Sequence, residues 1–204
     1  MSRIALEVAG EFSRTRIDEQ LRKYIDRPDL WTYDELYRST AIIGRLGAPT
    51  FIAELDEQVG LPTHVLRSLL GELWNRSWSP ELALERDRWV TLFNRAGGYT
   101  LDGHDNTPPA GPVRLWRGSS LEYRDNMTWT DSRDLAASFA FEVNPLYEDG
   151  RQGALWTAVV DPDRIWAGTS LLYPPTSELV TEYVTDTWGL EIVEDNDGRG
   201  LNRG

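Results

Sequence analysis

The amino-acid sequence predicts an α+β protein in which an N-terminal all-helical domain precedes a domain of short β-strands. Three observations predict this class. The first hundred residues carry apolar side chains at helical spacing, residues 97–112 hold four glycines and three prolines, and short runs typical of strands follow. The predicted boundaries are 1–96 for the helical domain, 97–112 for a linker, 113–195 for the second domain and 196–204 for a flexible tail.

The helical domain is predicted to begin with two amphipathic helices. In the first, residues 12–25, the apolar positions with helical spacing are Ile17, Leu21, Tyr24 and Ile25. The second covers residues 33–46. Thr32 is its predicted N-cap, and it is expected to end before Gly47.

Two further helices are predicted at residues 49–60 and 63–78, with a turn at Gly60-Leu61-Pro62 between them and Thr63 as the cap of the second. The apolar stripe of this last helix comprises Val65, Leu66, Leu69, Leu70 and Leu73. The outline permits either a DNA-binding helix-turn-helix or a plain αα-hairpin. The hairpin is the preferred interpretation, because the reading helix would offer DNA only Arg67 and Arg76.

The second domain is expected to be α+β with antiparallel sheets, since many short strands accompany one helix. The predicted strands are residues 113–117, 127–130, 154–160, 182–186 and 190–194. Residues 131–142 are predicted to form the helix, with Leu135, Ala136, Phe139 and Ala140 facing inward. Of the five tryptophans in this half, Trp156 and Trp166 are interpreted as core residues.

Composition excludes several kinds of chemistry. The chain contains no cysteine, so disulfides, thiolate nucleophiles and cysteine-bound zinc are impossible, and its two histidines cannot build a multi-histidine metal site. A net charge of −12 argues against broad nucleic-acid binding. The first residues lack the apolar stretch of a secretory signal, and no run is long enough to span a membrane, so a cytoplasmic location without a membrane partner is expected.

Three motifs in the second domain carry candidate chemistry. Arg117-Gly118 ends the first strand in LWRGSS, Thr128-Trp129-Thr130 precedes the helix LAASFA, and Glu182 opens a late strand in TEYVTD. In their order and spacing they resemble the Arg–Ser/Thr–Glu class of ADP-ribosyltransferases in its compact phage or bacterial form, with threonine in place of the serine. The match covers about residues 110–195, and each motif alone is weak.

The resemblance implies ADP-ribosyltransferase-like split antiparallel β-sheets, NAD⁺ as the substrate and no metal. Arg117 would hold an NAD⁺ phosphate or ribose through charge-assisted hydrogen bonds. Gly118, which lacks a Cβ, would let the nicotinamide carboxamide approach the backbone closely.

The resemblance also assigns the remaining residues of the site. The hydroxyl of Thr128 would orient the catalytic carboxylate, with Thr130 supporting it from the same face of the strand. Glu182 would engage the ribose and stabilise the positive charge that develops when the glycosidic bond breaks. Either Phe139 or Trp116 would form the aromatic floor beneath the nicotinamide, and the sequence does not decide between them.

One departure from the family pattern leaves the reaction open. Transferases of this class that modify protein arginines usually carry a second acid two residues before the catalytic one, and that position is Val180 here. Glu178 lies four residues before Glu182, which is further away than that position, and cannot simply take its place.

Three functions are therefore compatible with the sequence. The first is transfer of ADP-ribose to a macromolecular acceptor, a protein rather than a nucleic acid. The second is an NAD⁺ glycohydrolase or phosphorylase toxin on the same scaffold, and the third is a non-enzymatic helix-turn-helix binding protein. The resemblance also points to a bacteriophage or bacterial toxin or effector, acting in a host cytoplasm if it is delivered there.

Overall fold

The computed structural model describes residues 3–77, 80–143 and 153–195, with side chains from Arg14 onward. The chain divides into two compact units, Met1–Asp105 and Asn106–Gly204, and the division falls inside the glycine- and proline-rich segment 97–112. The class is mixed α+β. In the described part of the chain no helix is both long and apolar enough to cross a bilayer.

The described part of the first unit contains six α-helices. They are α1 Arg3–Tyr24, α2 Tyr33–Ile43, α3 Ala48–Val59, α4 Thr63–Arg76, α5 Pro80–Ala83 and α6 Arg86–Ala96. The predicted cap of α2 is confirmed, because the Thr32 side chain accepts a hydrogen bond from the backbone N–H of Glu35. The helix ends earlier than predicted, at Ile43, because Gly44 leaves the helical conformation with φ +92°.

The N-terminal end of α4 differs from the prediction. Thr63 was expected to be its cap, but Pro62 occupies that position, and Thr63 is already the first helical residue. The Pro62 carbonyl accepts the N–H groups of Val65 and Leu66, so the first turn closes without a side-chain cap. The predicted apolar stripe of α4 is confirmed, since all five of its members are buried.

An ion pair in the first unit joins α3 to α6. Asp56 is only 8 % exposed, and its carboxylate accepts from the Arg95 guanidinium and from the backbone N–H of Leu61 at 2.8 Å. Arg95 also donates to the Leu61 carbonyl. The pair thereby fixes the turn between α3 and α4 while it satisfies a carboxylate that burial would otherwise penalise.

We expect Asp56→Ala to destabilise the first unit by about 2–3 kcal/mol, because it removes the acceptor of Leu61 N–H and leaves Arg95 without its carboxylate partner. Chemical denaturation followed by tryptophan fluorescence measures the change. Asp29→Ala is the matched control, since Asp29 is an exposed acid paired with Arg27. Equal stability of the two variants would contradict the structural role of Asp56.

The segment expected to be an irregular linker contains a short pair of strands, β1 Tyr99–Leu101 and β2 His104–Asn106. Its glycines and aspartate supply the conformations that the turn needs. Asp102 and Gly103 have φ values of +53° and +79°, the left-handed region in which these residue types are enriched. The residue types that predicted a break in structure therefore build a tight turn between two strands.

In its described residues, the second unit contains six strands and one α-helix. They are β3 Val113–Ser119, β4 Thr128–Thr130, α7 Arg133–Ser138, β5 Ala154–Val160, β6 Ile165–Tyr173, β7 Glu178–Thr185 and β8 Val193–Glu194. Their order in the sheet is β6-β7-β4-β3-β5-β8, and β3–β4, β3–β5, β4–β7, β5–β8 and β6–β7 all pair antiparallel. Strand β6 was not predicted. Glu182, expected to open its strand, lies in the middle of β7.

The predicted helix over residues 131–142 is shorter in its α-helical part. Ser132 caps it by accepting from Leu135 N–H, and after Ser138 the chain continues as a π-helical turn, Phe139–Val143. Ala136 and Ala140 are buried as predicted, but the expectation that Phe139 faces inward is wrong, because its side chain is 38 % exposed. The change to a wider turn alters the angular position of side chains after Ser138, which helical spacing could not predict. Trp156 and Trp166 are buried, which confirms their interpretation as core residues.

Candidate active site

The three strands that carry the predicted site residues are neighbours. Strand β4 lies between β3, which carries Arg117, and β7, which carries Glu182. The sequence separates these two residues widely, and the sheet order brings their strands to either side of Thr128–Thr130. The candidate residues therefore occupy one region of the sheet.

A row of aligned residues crosses four strands on one face of this sheet. Trp116 on β3 pairs with Thr130 on β4, Thr130 pairs with Glu182 on β7, and Glu182 pairs with Thr169 on β6. Directly paired residues of antiparallel strands point to the same face, with Cβ atoms roughly 4.5–5.5 Å apart. Glu182 is thus flanked by one threonine on each side.

The residues nearest to Glu182 on the same face of its own strand are apolar. Val180 and Val184, two residues before and after it on the same face, are both buried. Burial raises the pKa of Glu182, and the positive charge of Arg117 acts in the opposite direction and lowers it. A carboxyl group in this setting protonates more readily than an exposed glutamate, and it responds to charge at Arg117.

Arg117 lies where β3 and β4 part. The two strands share a single aligned pair, Trp116 with Thr130, and the next residue of β3 bridges the gap with its side chain. Arg117 Nη1 donates to the Thr128 carbonyl at 2.6 Å, and Nε donates to the Tyr123 carbonyl at 2.8 Å. Two N–H groups of Arg117 therefore bind the segment between β3 and β4, and these hydrogen bonds fix the side chain before any ligand binds.

The two threonines of β4 have different positions relative to Glu182. Thr128, predicted to orient the carboxylate, pairs with Val184, whereas Thr130, predicted to play the supporting part, pairs with Glu182 itself. Thr130 Oγ1 accepts the backbone N–H of Ser132 at 3.1 Å and is buried. The register thus makes Thr130 the nearer cross-strand neighbour of the carboxyl group, and strand spacing alone could not distinguish the two.

Gly118 is required by packing inside the protein. A Cβ added there would lie 1.9 Å from the Ala136 carbonyl oxygen and 2.5 Å from the Ala140 backbone nitrogen. Both atoms belong to the backbone that follows β4, so the space beside Gly118 is filled by α7 and the π-helical turn. Close packing of a helix is thus a physical reason for this glycine beside the close approach of a nicotinamide that the resemblance implies.

The two aromatic residues predicted to lie beneath the nicotinamide, Trp116 and Phe139, differ in how their side chains are fixed in the protein. The indole of Trp116 donates from Nε1 to Asp195 at 3.2 Å, and Arg133 Nε binds the same carboxylate oxygen at 2.8 Å. Trp116 is therefore fixed in the row that contains Glu182. Phe139, at the start of the π-helical turn, is exposed. The better-fixed ring is that of Trp116.

Two polar residues near the site were missed by the sequence analysis. Thr169 was missed because its segment, IWAGTSLLY, contains a glycine and adjacent hydroxyl residues that weaken the strand pattern. Ser119, two residues after Arg117, is buried, and its hydroxyl has no hydrogen-bond partner among the described residues. A buried hydroxyl without a partner is energetically costly.

Among the described residues, no cluster of three or more histidine, aspartate or glutamate side chains is arranged to hold a metal ion. Comparisons with protein-family models, with curated proteins and with solved structures found no match for the chain.

Proposed function

We propose that the second unit is an NAD⁺-dependent ADP-ribosyltransferase that modifies a macromolecular acceptor. The observation that carries the proposal is the position of Glu182, a half-buried residue aligned with Thr130 and Thr169 and influenced by the charge of Arg117. A half-buried glutamate whose pKa is raised by burial and lowered by a nearby arginine is a candidate for a catalytic residue. The decisive experiment measures nicotinamide release by the Glu182→Gln variant.

In this proposal the chain's own residues hold and polarise the substrate. The Glu182 carboxylate accepts a hydrogen bond from a ribose hydroxyl and stabilises positive charge at the anomeric carbon. The positive charge of Arg117 attracts the phosphate groups of NAD⁺, and Trp116 provides the aromatic surface for the nicotinamide ring. The bond between the anomeric carbon and nicotinamide breaks, a bond to the acceptor's nucleophile forms, and the acceptor's proton passes to solvent or to Glu182.

A second candidate, NAD⁺ hydrolysis or phosphorolysis, is favoured by Val180. This residue is buried two positions before Glu182, where arginine-modifying members of the resembled class carry an acid. With a valine there, the site offers an incoming guanidinium no second carboxylate, whereas water or phosphate needs none. A protein acceptor other than arginine remains compatible with the transfer proposal.

The two reactions are separated by following both halves of NAD⁺. With NAD⁺ labelled in the adenosine part, transfer predicts label in macromolecules of a cell lysate, with nicotinamide release accelerated by the lysate. Hydrolysis predicts lysate-independent release with all label in free ADP-ribose. Mass spectrometry of the labelled proteins and nucleic acids then identifies the acceptor, and we expect protein.

The third interpretation, a helix-turn-helix that binds DNA, requires the arginines of α4 to extend away from the first unit toward the DNA. Arg67 Nε donates to the Ala96 and Gly97 carbonyls at 3.2 and 2.7 Å, and the Arg76 guanidinium lies over the Tyr37 ring, 4.9 Å from its centroid. These contacts within the first unit support the αα-hairpin. Gel-shift experiments with duplex DNA at low salt distinguish the two interpretations. A retarded band whose intensity falls steeply with added salt would support DNA binding.

The raised pKa of Glu182 predicts the pH dependence of the reaction. Because the carboxylate is the active form, kcat should fall as the pH drops through a pKa above the usual value for glutamate. Removing the positive charge in Arg117→Met should raise the pKa of Glu182 further and move this acid limb to higher pH. ¹³C NMR titration of labelled glutamate measures the pKa directly, and an unchanged pKa in Arg117→Met would contradict the coupling.

A further inference from the structure

A small cavity of about 180 Å³ lies within the helical unit, between the last turns of α2 and α4 and the first turn of α3. At roughly 30 Å³ per water molecule, it has room for about six waters or a small organic molecule. The side chains that line it and matter here are Thr40, Arg45, Ala48, Leu73, Arg76 and Ser77.

The charge of the cavity is opposite to that of the chain. The protein carries a net charge of −12, yet the described residues lining the cavity include two arginines and no carboxylate. The guanidinium of Arg45 makes no hydrogen bond or ion pair within the described part of the chain. Two guanidinium groups that line one cavity match the charge and the multiple oxygen atoms of a phosphate group.

Arg76 is held in place before any ligand binds. Its guanidinium stacks over the Tyr37 ring at 4.9 Å from the centroid, and its Nη1 lies 4.0 Å from Glu72 Oε1. That distance is too long for a hydrogen bond, so the contact with Glu72 orients the guanidinium and leaves its N–H donors for another acceptor. Orientation in advance lowers the entropic cost of binding.

The two hydroxyl groups of the cavity act as acceptors toward a ligand. Thr40 Oγ1 donates its proton to the Tyr37 carbonyl at 2.7 Å, and Ser77 Oγ donates to the Leu73 carbonyl at 2.8 Å. Each oxygen keeps lone pairs that accept hydrogen bonds. A complementary ligand therefore combines an anionic group for the arginines with hydroxyl groups that donate to Thr40 and Ser77.

We propose that this cavity binds a small phosphorylated polyol of the sugar-phosphate class. Arg45 and Arg76 hold the phosphate group, Thr40 and Ser77 accept hydrogen bonds from sugar hydroxyls, and Ala48 and Leu73 contact the carbon chain. The site belongs to the helical unit alone and does not depend on the reaction proposed for the second unit.

The arginines also have a simpler explanation. Arg76 is the last residue of α4 and Arg45 follows the end of α2, positions at which a positive charge interacts favourably with the helix dipole. That explanation assigns them to stability alone. It predicts that replacing either arginine lowers the melting temperature of the free protein, and that no ligand raises it.

The test titrates the full chain with ribose 5-phosphate, inorganic phosphate and ribose at constant ionic strength, by calorimetry and by the shift of the melting temperature. We expect saturable binding of ribose 5-phosphate, weaker binding of inorganic phosphate and none of ribose. Arg45→Gln and Arg76→Gln should each weaken binding of ribose 5-phosphate at least about tenfold. Arg38→Gln is the matched control, because Arg38 is an exposed α2 residue paired with Glu35, and its binding should equal that of the unmodified protein.

Three results would overturn the proposal. One is the absence of saturable binding to ribose 5-phosphate, and another is a preference for inorganic phosphate over the sugar phosphate. The third is binding that persists unchanged in both arginine variants, which would assign it to another part of the chain. Arg45 is exposed and lies in the turn between α2 and α3, so we expect Arg45→Gln to keep the helices and to give a valid result even if Arg76→Gln disturbs the packing on Tyr37.

Discussion

Glu182→Gln should reduce the rate of nicotinamide release from NAD⁺ at least about a hundredfold while leaving the protein folded. The glutamine keeps the shape of the side chain and loses the negative charge that the proposal uses at the anomeric carbon. NAD⁺ affinity should change little, because the carboxylate acts mainly as the bond breaks. The measurement is a steady-state assay of free nicotinamide, accompanied by an equilibrium binding curve for NAD⁺.

The stability of the same variant gives an independent check. Burial disfavours the charged carboxylate of Glu182, and its raised pKa reports this cost. A neutral glutamine avoids the cost, so the melting temperature of Glu182→Gln at neutral pH should equal or exceed that of the unmodified protein. Lower activity together with undiminished stability is the signature of a residue kept for chemistry.

Glu178→Gln is the matched control for this experiment. Glu178 lies on the same strand, is exposed, and pairs with Tyr173 near the end of the β6–β7 hairpin. Its replacement should leave both the rate and the melting temperature unchanged. Full activity of Glu182→Gln would refute the assignment of the catalytic carboxylate, and equal losses in the two variants would point to a general effect of charge on β7.

Local residue patterns predicted much of this fold. The apolar stripe of α4, the cap at Thr32 and the strand β5 depend on spacing within a dozen residues, and periodicity captures such spacing. The boundary region was recognised from its glycines and prolines, but the strands β1 and β2 inside it were not. A glycine indicates a special conformation at one residue, and the neighbours decide whether that conformation interrupts structure or joins two strands.

The arrangement of the residues in the candidate site could be predicted less well from the sequence. Which threonine faces Glu182 depends on the register between β4 and β7, since a shift of two residues would place Thr128 opposite Glu182 instead of Thr130. Thr169 depends on β6 pairing with β7, a strand that the sequence did not reveal. The bonds of Arg117 to two backbone carbonyls follow from the way β3 and β4 part, a feature of tertiary structure.

Gly118→Ala should destabilise the second unit by about 3 kcal/mol or more, since overpacking against rigid neighbours is costly. The added Cβ would meet the Ala136 carbonyl oxygen at 1.9 Å and the Ala140 nitrogen at 2.5 Å. Both are backbone atoms, so relief requires α7 and the π-helical turn to move away from β3. For a unit of about a hundred residues, 3 kcal/mol lowers the melting temperature by more than roughly 10 °C. Thermal denaturation measures the loss, and hydrogen exchange in residues 133–143 locates it.

The same variant separates two reasons for having a glycine beside Arg117. If the space serves packing, Gly118→Ala lowers stability and exposes α7 to exchange, whether or not NAD⁺ is present. If it serves ligand approach, as the sequence first indicated, the variant keeps its melting temperature and only the KM for NAD⁺ rises. Gly111→Ala is the control, because a Cβ there meets no atom within 4 Å, and its stability should change by less than about 0.5 kcal/mol. The contacts of Gly118 favour packing, so a stable Gly118→Ala protein with a raised KM would show that α7 gives way and that the ligand sets the constraint.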